Sequence, residues 1–183
     1  MKMKILKKEK CLCACCMEEH EVKTVLLLEH SEFKNTTCEY EAEYQYCDVA
    51  EELYMTEDQL QNNDTKMKDA YRKASGLLTS EDIYNIRIKY GISQSDLCTL
   101  LGWGGKTITR YESHQVQDRA HDAILKKIDH DPEWFIALLN DAKAALPTAT
   151  YEKYLKTAKQ LYAAEYDRYL QKAIEASSYK EAI

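Results

Sequence analysis

Residues 79–113 read TSEDIYNIRIKYGISQSDLCTLLGWGGKTITRYES, and this stretch decides the fold of half the chain. A first helix is predicted to begin at Thr79 or Ser80, both of which have a hydroxyl that can cap it, and to end at Gly91. A second helix is predicted to begin at Ser93 and to end at Gly102. The leucines between these two positions recur at helical spacing. The stretch therefore opens with two short helices separated by a tight turn.

A third short helix is predicted over residues 106–113, after a corner that holds three of the chain's five glycines. Ile108 and Tyr111 are expected to face the core, because they lie three residues apart. The remaining side chains of its first turns face outward: Lys106, Thr107, Thr109 and Arg110. A polar helix that follows a capped helix and a sharp corner predicts a helix-turn-helix core that binds DNA.

The outward side chains are the candidate DNA contacts. Lys106 and Arg110 lie one helical turn apart, so both can enter the same major groove, where arginine can bind guanine through two hydrogen bonds. Thr107 and Thr109 can reach a phosphate or a thymine methyl group. Gln94, at the start of the second helix, lies where helix-turn-helix folds use a glutamine to hold the DNA backbone and brace the reading helix, so the resemblance to such folds implies this role for it. The alternative is that the two cations only solvate an exposed helix face.

The segments GISQ, LLGWGG and RYE within this stretch resemble the helix-turn-helix of the Xre/lambda-repressor type. More narrowly, they resemble that of MqsA-type antitoxins, in which a YgiT-type zinc finger is joined to a helix-turn-helix. The SQ and RYE elements are common to many Xre-type proteins, whereas the glycine-rich corner and the N-terminal cysteines narrow the resemblance. It covers about residues 11–140. It implies a homodimeric repressor that binds a palindromic operator and a toxin protein.

Composition limits how DNA could be bound. The chain has 183 residues, 45% of them hydrophobic and 31% charged, which is typical of a soluble globular protein of one domain or two small ones. Its net charge of −6 argues against indiscriminate binding of nucleic acids, because such binding depends on a broad basic surface. Residues 79–131 alone carry seven Lys or Arg against eight Asp or Glu. DNA binding must therefore use a local positive face, depend on salt, and gain from dimerisation.

Neither a membrane span nor an enzyme is indicated by sequence motifs. No apolar run approaches eighteen residues, and the basic first ten residues are followed by cysteines rather than by the apolar stretch of a secretory signal. We therefore expect a cytoplasmic protein with no membrane association. The chain contains no HExxH, P-loop or GxSxG motif, so we expect no enzyme.

Four of the seven cysteines lie within six residues, in the segment CLCACC at 11–16. In a reducing compartment such thiols are more typical of metal ligands than of disulfides. Cys13 and Cys16 have the C-x-x-C spacing with which a turn binds one tetrahedral zinc. Cys47 follows a strand-like run where a second such turn would lie, but the residue three further on is Ala50.

The resemblance implies a zinc ion with a structural role and carries over Cys13, Cys16 and Cys47 as ligands. Because Ala50 departs from the family pattern, the fourth ligand stays open, with Cys38 as the working candidate. The other candidates are Cys11, Cys15 and His20, with Glu51 and Glu52 less favoured. Unbound reduced cysteines are the alternative.

Between the cysteine segments, residues 22–30 and 39–46 are predicted to form two strands of a hairpin with a loop over 30–37. Residues 35–65 hold nine acidic side chains and no Lys or Arg. This charge predicts either a solvated face or a surface for a basic partner such as a toxin ribonuclease.

Helices are predicted on both sides of the helix-turn-helix core. The segment 55–78 is expected to be helical, interrupted by NND at 62–64. Further helices are predicted over 118–131 and 133–145, where Trp134 and Phe135 form either a dimer interface or an intrachain core. The tail carries a tyrosine-rich stripe that must pack on these helices or on another chain.

Together these patterns predict an α+β chain: a small zinc-knuckle β-hairpin domain, an all-α lambda-repressor-like helix-turn-helix domain and a C-terminal helical extension. The predicted segments are a zinc-finger-like domain (1–54), a helical linker (55–78), the helix-turn-helix domain (79–146) and the extension (147–183). The function they favour is that of an antitoxin and transcriptional repressor in a type II toxin-antitoxin system. The alternative is a metal- or redox-sensing helix-turn-helix regulator without a toxin.

Overall fold

A computed structural model describes the backbone of residues 3–181 and the side chains of residues 3–172. This part of the chain is α+β, with a four-stranded antiparallel sheet followed by seven helices. The elements are β1 (Lys4–Leu12), β2 (Glu19–Phe33), β3 (Thr36–Cys47), β4 (Glu52–Tyr54), α1 (Glu57–Ala74), α2 (Ser80–Tyr90), α3 (Gln94–Leu100), α4 (Thr107–Tyr111), α5 (Arg119–His130), α6 (Pro132–Asp141) and α7 (Thr148–Glu181). Two compact units result, Met1–Ser80 with Ser113–Val116 and Glu81–Glu112 with Gln117–Ile183.

The sheet of the first unit has the order β1-β2-β3-β4, and every neighbouring pair is antiparallel. The predicted hairpin is the β2–β3 pair, but its predicted eight-residue loop is wrong. Pairing continues to Phe33 and Thr36, so only Lys34 and Asn35 form the turn. Both have left-handed backbone conformations, with φ of 48° and 60°, as the tightest hairpin turns require.

The sequence did not predict β1 and β4, which extend the hairpin to a four-stranded sheet. Every residue of β1 is exposed, so the strand shows no alternation of polar and apolar residues. β4 has only three residues and pairs with the end of β3. The sheet's buried apolar residues lie on the two central strands and include Val25, Leu27 and Ala42.

Helix α1 is continuous, and the predicted break at residues 62–64 is wrong. Thr56 caps the helix through a capping box with Gln59. The buried Asn63 side chain accepts a hydrogen bond from the Glu43 backbone N–H and donates one to the Glu43 carbonyl, both at 2.8 Å. β4 pairs with β3 only near Cys47, so the edge of β3 at Glu43 has no neighbouring strand. The Asn63 side chain therefore provides the hydrogen-bond partners that the Glu43 backbone would otherwise lack. Asparagine is unfavourable inside helices, but at this position its side chain connects α1 to the sheet.

In the second unit, α2, α3 and α4 follow the predicted helices closely. Gly91 and Gly102 end α2 and α3 with φ of 63° and 65°. The Ser93 hydroxyl caps α3 by accepting from the Asp96 backbone N–H at 3.0 Å. Their core includes the fully buried Leu97 and Ile108.

Helices α5 and α6 complete this core. Asp131 caps α6, and Pro132 occupies its first turn as predicted. The helix ends at Asp141, earlier than predicted, and a separate 3-10 turn follows. The ring of Phe135 is fully buried and lies 3.9 Å from that of Tyr90. Phe135 therefore belongs to the core of its own chain.

Helix α7 is a single helix across the predicted tail. Tyr151, Tyr154 and Ala158 are buried, and the helix packs on α6. The Tyr154 hydroxyl donates to the Asp96 carboxylate at 2.6 Å. No helix in the described part of the chain, α7 included, has a stretch long and apolar enough to cross a membrane.

Candidate metal centre and candidate nucleic-acid interface

Four side chains of the first unit place their ligand atoms within 4.8 Å of one another: Cys13, Cys16, His20 and Cys47. The first two lie in the turn between β1 and β2, His20 is near the start of β2, and Cys47 ends β3. In a tetrahedral zinc site with Zn–S bonds of about 2.3 Å, two sulfurs lie roughly 3.8 Å apart. Three thiols and an imidazole this close together can therefore hold a metal ion.

The turn after β1 positions the first two thiols. The Cys13 backbone N–H donates to the Glu18 carbonyl, and the Met17 N–H donates back to the Cys13 carbonyl, both at 2.9 Å. Met17, four residues after Cys13, closes the turn with a left-handed φ of 63°. This turn brings Cys13 and Cys16 to the same side of the backbone.

The turn after β3 repeats the first one. Glu51, four residues after Cys47, also has a left-handed φ, of 54°. The Ala50 N–H donates to the Cys47 sulfur at 3.3 Å. Ala50 therefore occupies the place that Cys16 has in the first turn. The second turn contributes one thiol rather than two.

His20 brings a fourth donor atom to the group, in the place of that missing thiol. Its Nε2 lies 3.5 Å from the Cys47 sulfur, and its Nδ1 lies 3.0 Å from the Glu21 carbonyl oxygen. With its proton on Nδ1, the ring donates to this carbonyl and points the lone pair of Nε2 at the thiols. Metal-ligating histidines are oriented in this way.

Cys38, the working candidate for the fourth ligand, lies outside this group. It is buried on β3 near the hairpin turn, and its thiol donates to the Thr36 carbonyl at 3.5 Å. Cys47 lies nine residues further along the extended strand, a distance of about 30 Å. Cys11 is exposed, and the Cys15 thiol lies 3.6 Å from the Glu52 carboxylate. Neither belongs to the group, although Cys15 is next to it.

The thiols differ in their ease of ionisation. Burial disfavours the Cys13 thiolate, but the Cys16 backbone N–H and the Tyr54 hydroxyl outweigh it, and the pKa of Cys13 falls to about 6. Burial, followed by the negative charge of Cys47, raises the pKa of Cys15 to about 11. Burial also raises the pKa of Cys16. A metal cation would stabilise all the thiolates it binds.

A sequence signal for His20 exists beside the C-x-x-C pair. His20 and Val22 lie two residues apart on β2 and so share a face of the strand. Val22 is buried in a cluster with Cys13 and Cys47. A histidine that follows C-x-x-C closely and lies two residues before an apolar residue is therefore the pattern that could have pointed to His20.

The predicted DNA contacts fall on and around α4. Lys106, immediately before the helix, and Arg110 are exposed, and the Arg110 Nε donates to the Lys106 carbonyl at 3.3 Å. Thr107 is half-buried. Ile108 and Tyr111 are buried, as predicted, so the helix is anchored on one side and presents both cations on the other.

Gln94 and Thr109 are engaged within the unit. The Thr109 hydroxyl donates to the Gln94 carbonyl oxygen at 2.8 Å, and the Gln94 amide donates to the Glu112 carboxylate at 2.6 Å. Arg87 donates to the same carboxylate from Nε and Nη2, at 2.7 and 3.0 Å. Gln94 thus bridges α3 and α4. The predictions included neither Arg87 nor Glu112, because ion pairs between residues distant in sequence leave no periodic signal.

Comparison with known proteins adds no relative: no family model, curated protein or solved structure matches this chain. The function must therefore be inferred from the two sites themselves.

Proposed function

We propose that this chain is a sequence-specific DNA-binding repressor that reads DNA with α4. The observation that carries the proposal is the two-sided character of α4, with Ile108 and Tyr111 buried and Lys106 and Arg110 exposed. The corner at Gly102 separates α4 from α3, as in a helix-turn-helix.

The charge around α4 supports the same interpretation. Glu112 would repel phosphates if it were exposed, but its side chain is only 7% exposed and pairs with Arg87. The exposed charges on α4 and at its start are then those of Lys106 and Arg110. A local cation pair of this kind can contact DNA on a chain whose net charge is −6.

The proposal is tested by selecting binding sites for the full chain from a pool of random duplexes, followed by gel-shift titration. Arg110→Ala should weaken binding to the selected site by about 1–3 kcal/mol, the usual worth of a base-reading pair. Lys156→Ala is the matched control, because Lys156 is an exposed cation on α7. Failure to enrich any sequence, or equal affinities of the two variants, would refute the proposal.

The proposed role of the first unit is to hold zinc as a structural ion. The four donors Cys13, Cys16, His20 and Cys47 include the two buried thiols of a small apolar cluster, and zinc accepts three thiolates with one imidazole. Such an ion would fix the two turns to each other, since each supplies ligands. Removing both Cys13 and Cys16 thiols by substitution with serine should unfold this unit and leave the second unit folded, as monitored by urea titration.

We also propose that the chain is an antitoxin that binds a basic toxin ribonuclease. The acidic run of residues 35–65 supports this role, and Glu39 and Glu41 are exposed on β3. The product of the neighbouring gene should co-purify with the chain, and Glu41→Lys should weaken the complex. If the neighbouring product is not basic, or does not bind, the antitoxin role is ruled out while the DNA proposal stands.

One observation favours a second candidate, a metal or redox sensor without a toxin. The Cys15 thiol lies beside the ligand group without belonging to it. Hydrogen peroxide could oxidise a ligand thiolate to a sulfenic acid, and Cys15 would then displace water from that sulfur to form a disulfide, which removes a metal ligand. In that case hydrogen peroxide or zinc removal would change DNA affinity, and Cys15→Ser would abolish the response to peroxide. An unchanged affinity under both treatments would exclude the sensor.

A further inference from the structure

The second half of α7 carries an uncovered stripe of large side chains, which we call the tyrosine stripe. It consists of Tyr162, Tyr166, Tyr169 and Leu170, with exposed fractions of 40%, 54%, 69% and 41%. Spacings of four, three and one place these residues on one side of the helix. In the first half of α7 the corresponding face is buried, as Tyr151 and Tyr154 show. Large aromatic side chains exposed in a row are typical of an interface.

We propose that the tyrosine stripe binds the same stripe of a second copy of this chain, with the two α7 helices antiparallel. A two-fold axis between Tyr166 and Tyr169 would place each of these rings against the other ring of the second copy. Tyrosine suits this position, because its ring can be buried while its hydroxyl remains at the solvent edge.

The charges beside the stripe favour a second copy of the chain as the binding partner and an antiparallel arrangement of the two helices. Glu165 and Lys172 lie on one flank of the stripe, seven residues apart, and both are exposed. Two-fold symmetry brings a flank against the same flank of the second copy, running in the opposite direction. Glu165 therefore faces Lys172 of the second copy, and the symmetry makes this ion pair twice.

The other flank is complementary in a different way. It carries Ala163 and Leu170, again seven residues apart and exposed. The same axis places each against the other residue of the second copy, so an apolar contact forms where no charge is present. In a parallel pair, by contrast, Glu165 would face Leu170 of the second copy and bury a charge against a leucine. Both flanks thus favour the antiparallel arrangement.

A groove beside the stripe leaves room for a few side chains of the second helix. It has a volume of about 250 Å³ and lies between the tyrosines and the start of α6, with Pro132 and Glu133 in its opposite wall. The second copy would pack over this groove and cover apolar surface that the single chain leaves in water.

Sedimentation equilibrium of the full chain tests the dimer proposal. Because no DNA is present in this experiment, failure of the dimer proposal can be distinguished from failure of the DNA-binding proposal. The wild-type chain should dimerise. Glu165→Lys and Lys172→Glu should each raise the dimer dissociation constant roughly tenfold, because each places two like-charged pairs across the interface. The double variant with both substitutions should restore wild-type dimerisation.

Asp167→Lys is the matched control, since it makes the same change of charge on the side of α7 away from the stripe. It should leave the dissociation constant unchanged, and circular dichroism should show equal helix content in all variants. A monomeric wild-type chain would overturn the proposal. So would equal effects of Glu165→Lys and Asp167→Lys, or a double variant no better than its parents.

Discussion

Arg87 donates two hydrogen bonds to the carboxylate of Glu112 and thereby ties α2 to the end of α4. The two side chains are 14% and 7% exposed, so the pair is largely removed from water. Gln94 donates to the same carboxylate and accepts from Thr109. The orientation of α4, and with it the position of Arg110, therefore depends on a polar network that lies behind the exposed residues of the helix.

Glu112→Gln should lower the free energy of unfolding of the second unit by about 2 kcal/mol, because it leaves the Arg87 guanidinium without its counter-charge in a poorly hydrated place. Urea denaturation followed by circular dichroism measures the change. Glu152→Gln, which removes an exposed carboxylate on α7, should change stability by less than about 0.5 kcal/mol. Equal stabilities of the two variants would mean that the pair does not hold α4.

His20→Ala should weaken zinc binding at least about tenfold, whereas Cys38→Ser should leave it unchanged. The reason is that only His20 lies with the three thiols. Competition of each variant with a zinc-sensitive dye gives the affinities, and the absorption spectrum with cobalt in place of zinc reports the number of thiolate ligands. If Cys38→Ser weakened zinc binding and His20→Ala did not, Cys38 rather than His20 would be the fourth ligand.

Asn63→Ala should destabilise the first unit by about 2 kcal/mol, because both polar groups of the Glu43 backbone lose their partner at the open edge of β3. Asn62→Ala is the control, because Asn62 precedes Asn63 on the same helix and its side chain is exposed. Hydrogen exchange of the Glu43 amide provides a local measurement. Equal protection of this amide in the two variants would contradict the proposed role of Asn63.

Asp131 makes a pH-dependent contribution to the second unit. The Lys127 ammonium and then the Trp134 backbone N–H lower the pKa of the Asp131 carboxyl. Because this pKa is lower in the folded than in the unfolded chain, the stabilisation is present above about pH 4 and is lost as the pH falls through the folded-state pKa.

Asp131→Asn keeps a capping oxygen but removes the charge, so it isolates this contribution. At pH 6 the variant should be less stable than the wild type by no more than about 1 kcal/mol, and the difference should shrink toward zero in acid. Thermal denaturation of both proteins across this pH range is the measurement. A difference independent of pH would show that the charge of Asp131 has no part in stability.

Local patterns in the sequence determined the elements of the second unit and half of the first. Ser93, Gly91 and Gly102 act on their immediate neighbours through caps and left-handed turns, so the bounds of α2 and α3 follow from the residues themselves. The alternation in residues 39–46 likewise predicted β3. The C-x-x-C pair identified two of the four possible metal ligands, because both come from one turn.

Tertiary structure alone decided the features that join residues distant in sequence. His20 rather than Cys38 lies with Cys13, Cys16 and Cys47, because the β1–β2 and β2–β3 pairings bring the start of β2 to the end of β3. Asn63 continues a helix because an open strand edge binds its amide. Phe135 is buried and Tyr166 is exposed, although both lie in apolar helical patterns, because α6 packs into the core whereas α7 extends past it. A hydrophobic period shows that a face will be covered, and only the packed chain shows what covers it.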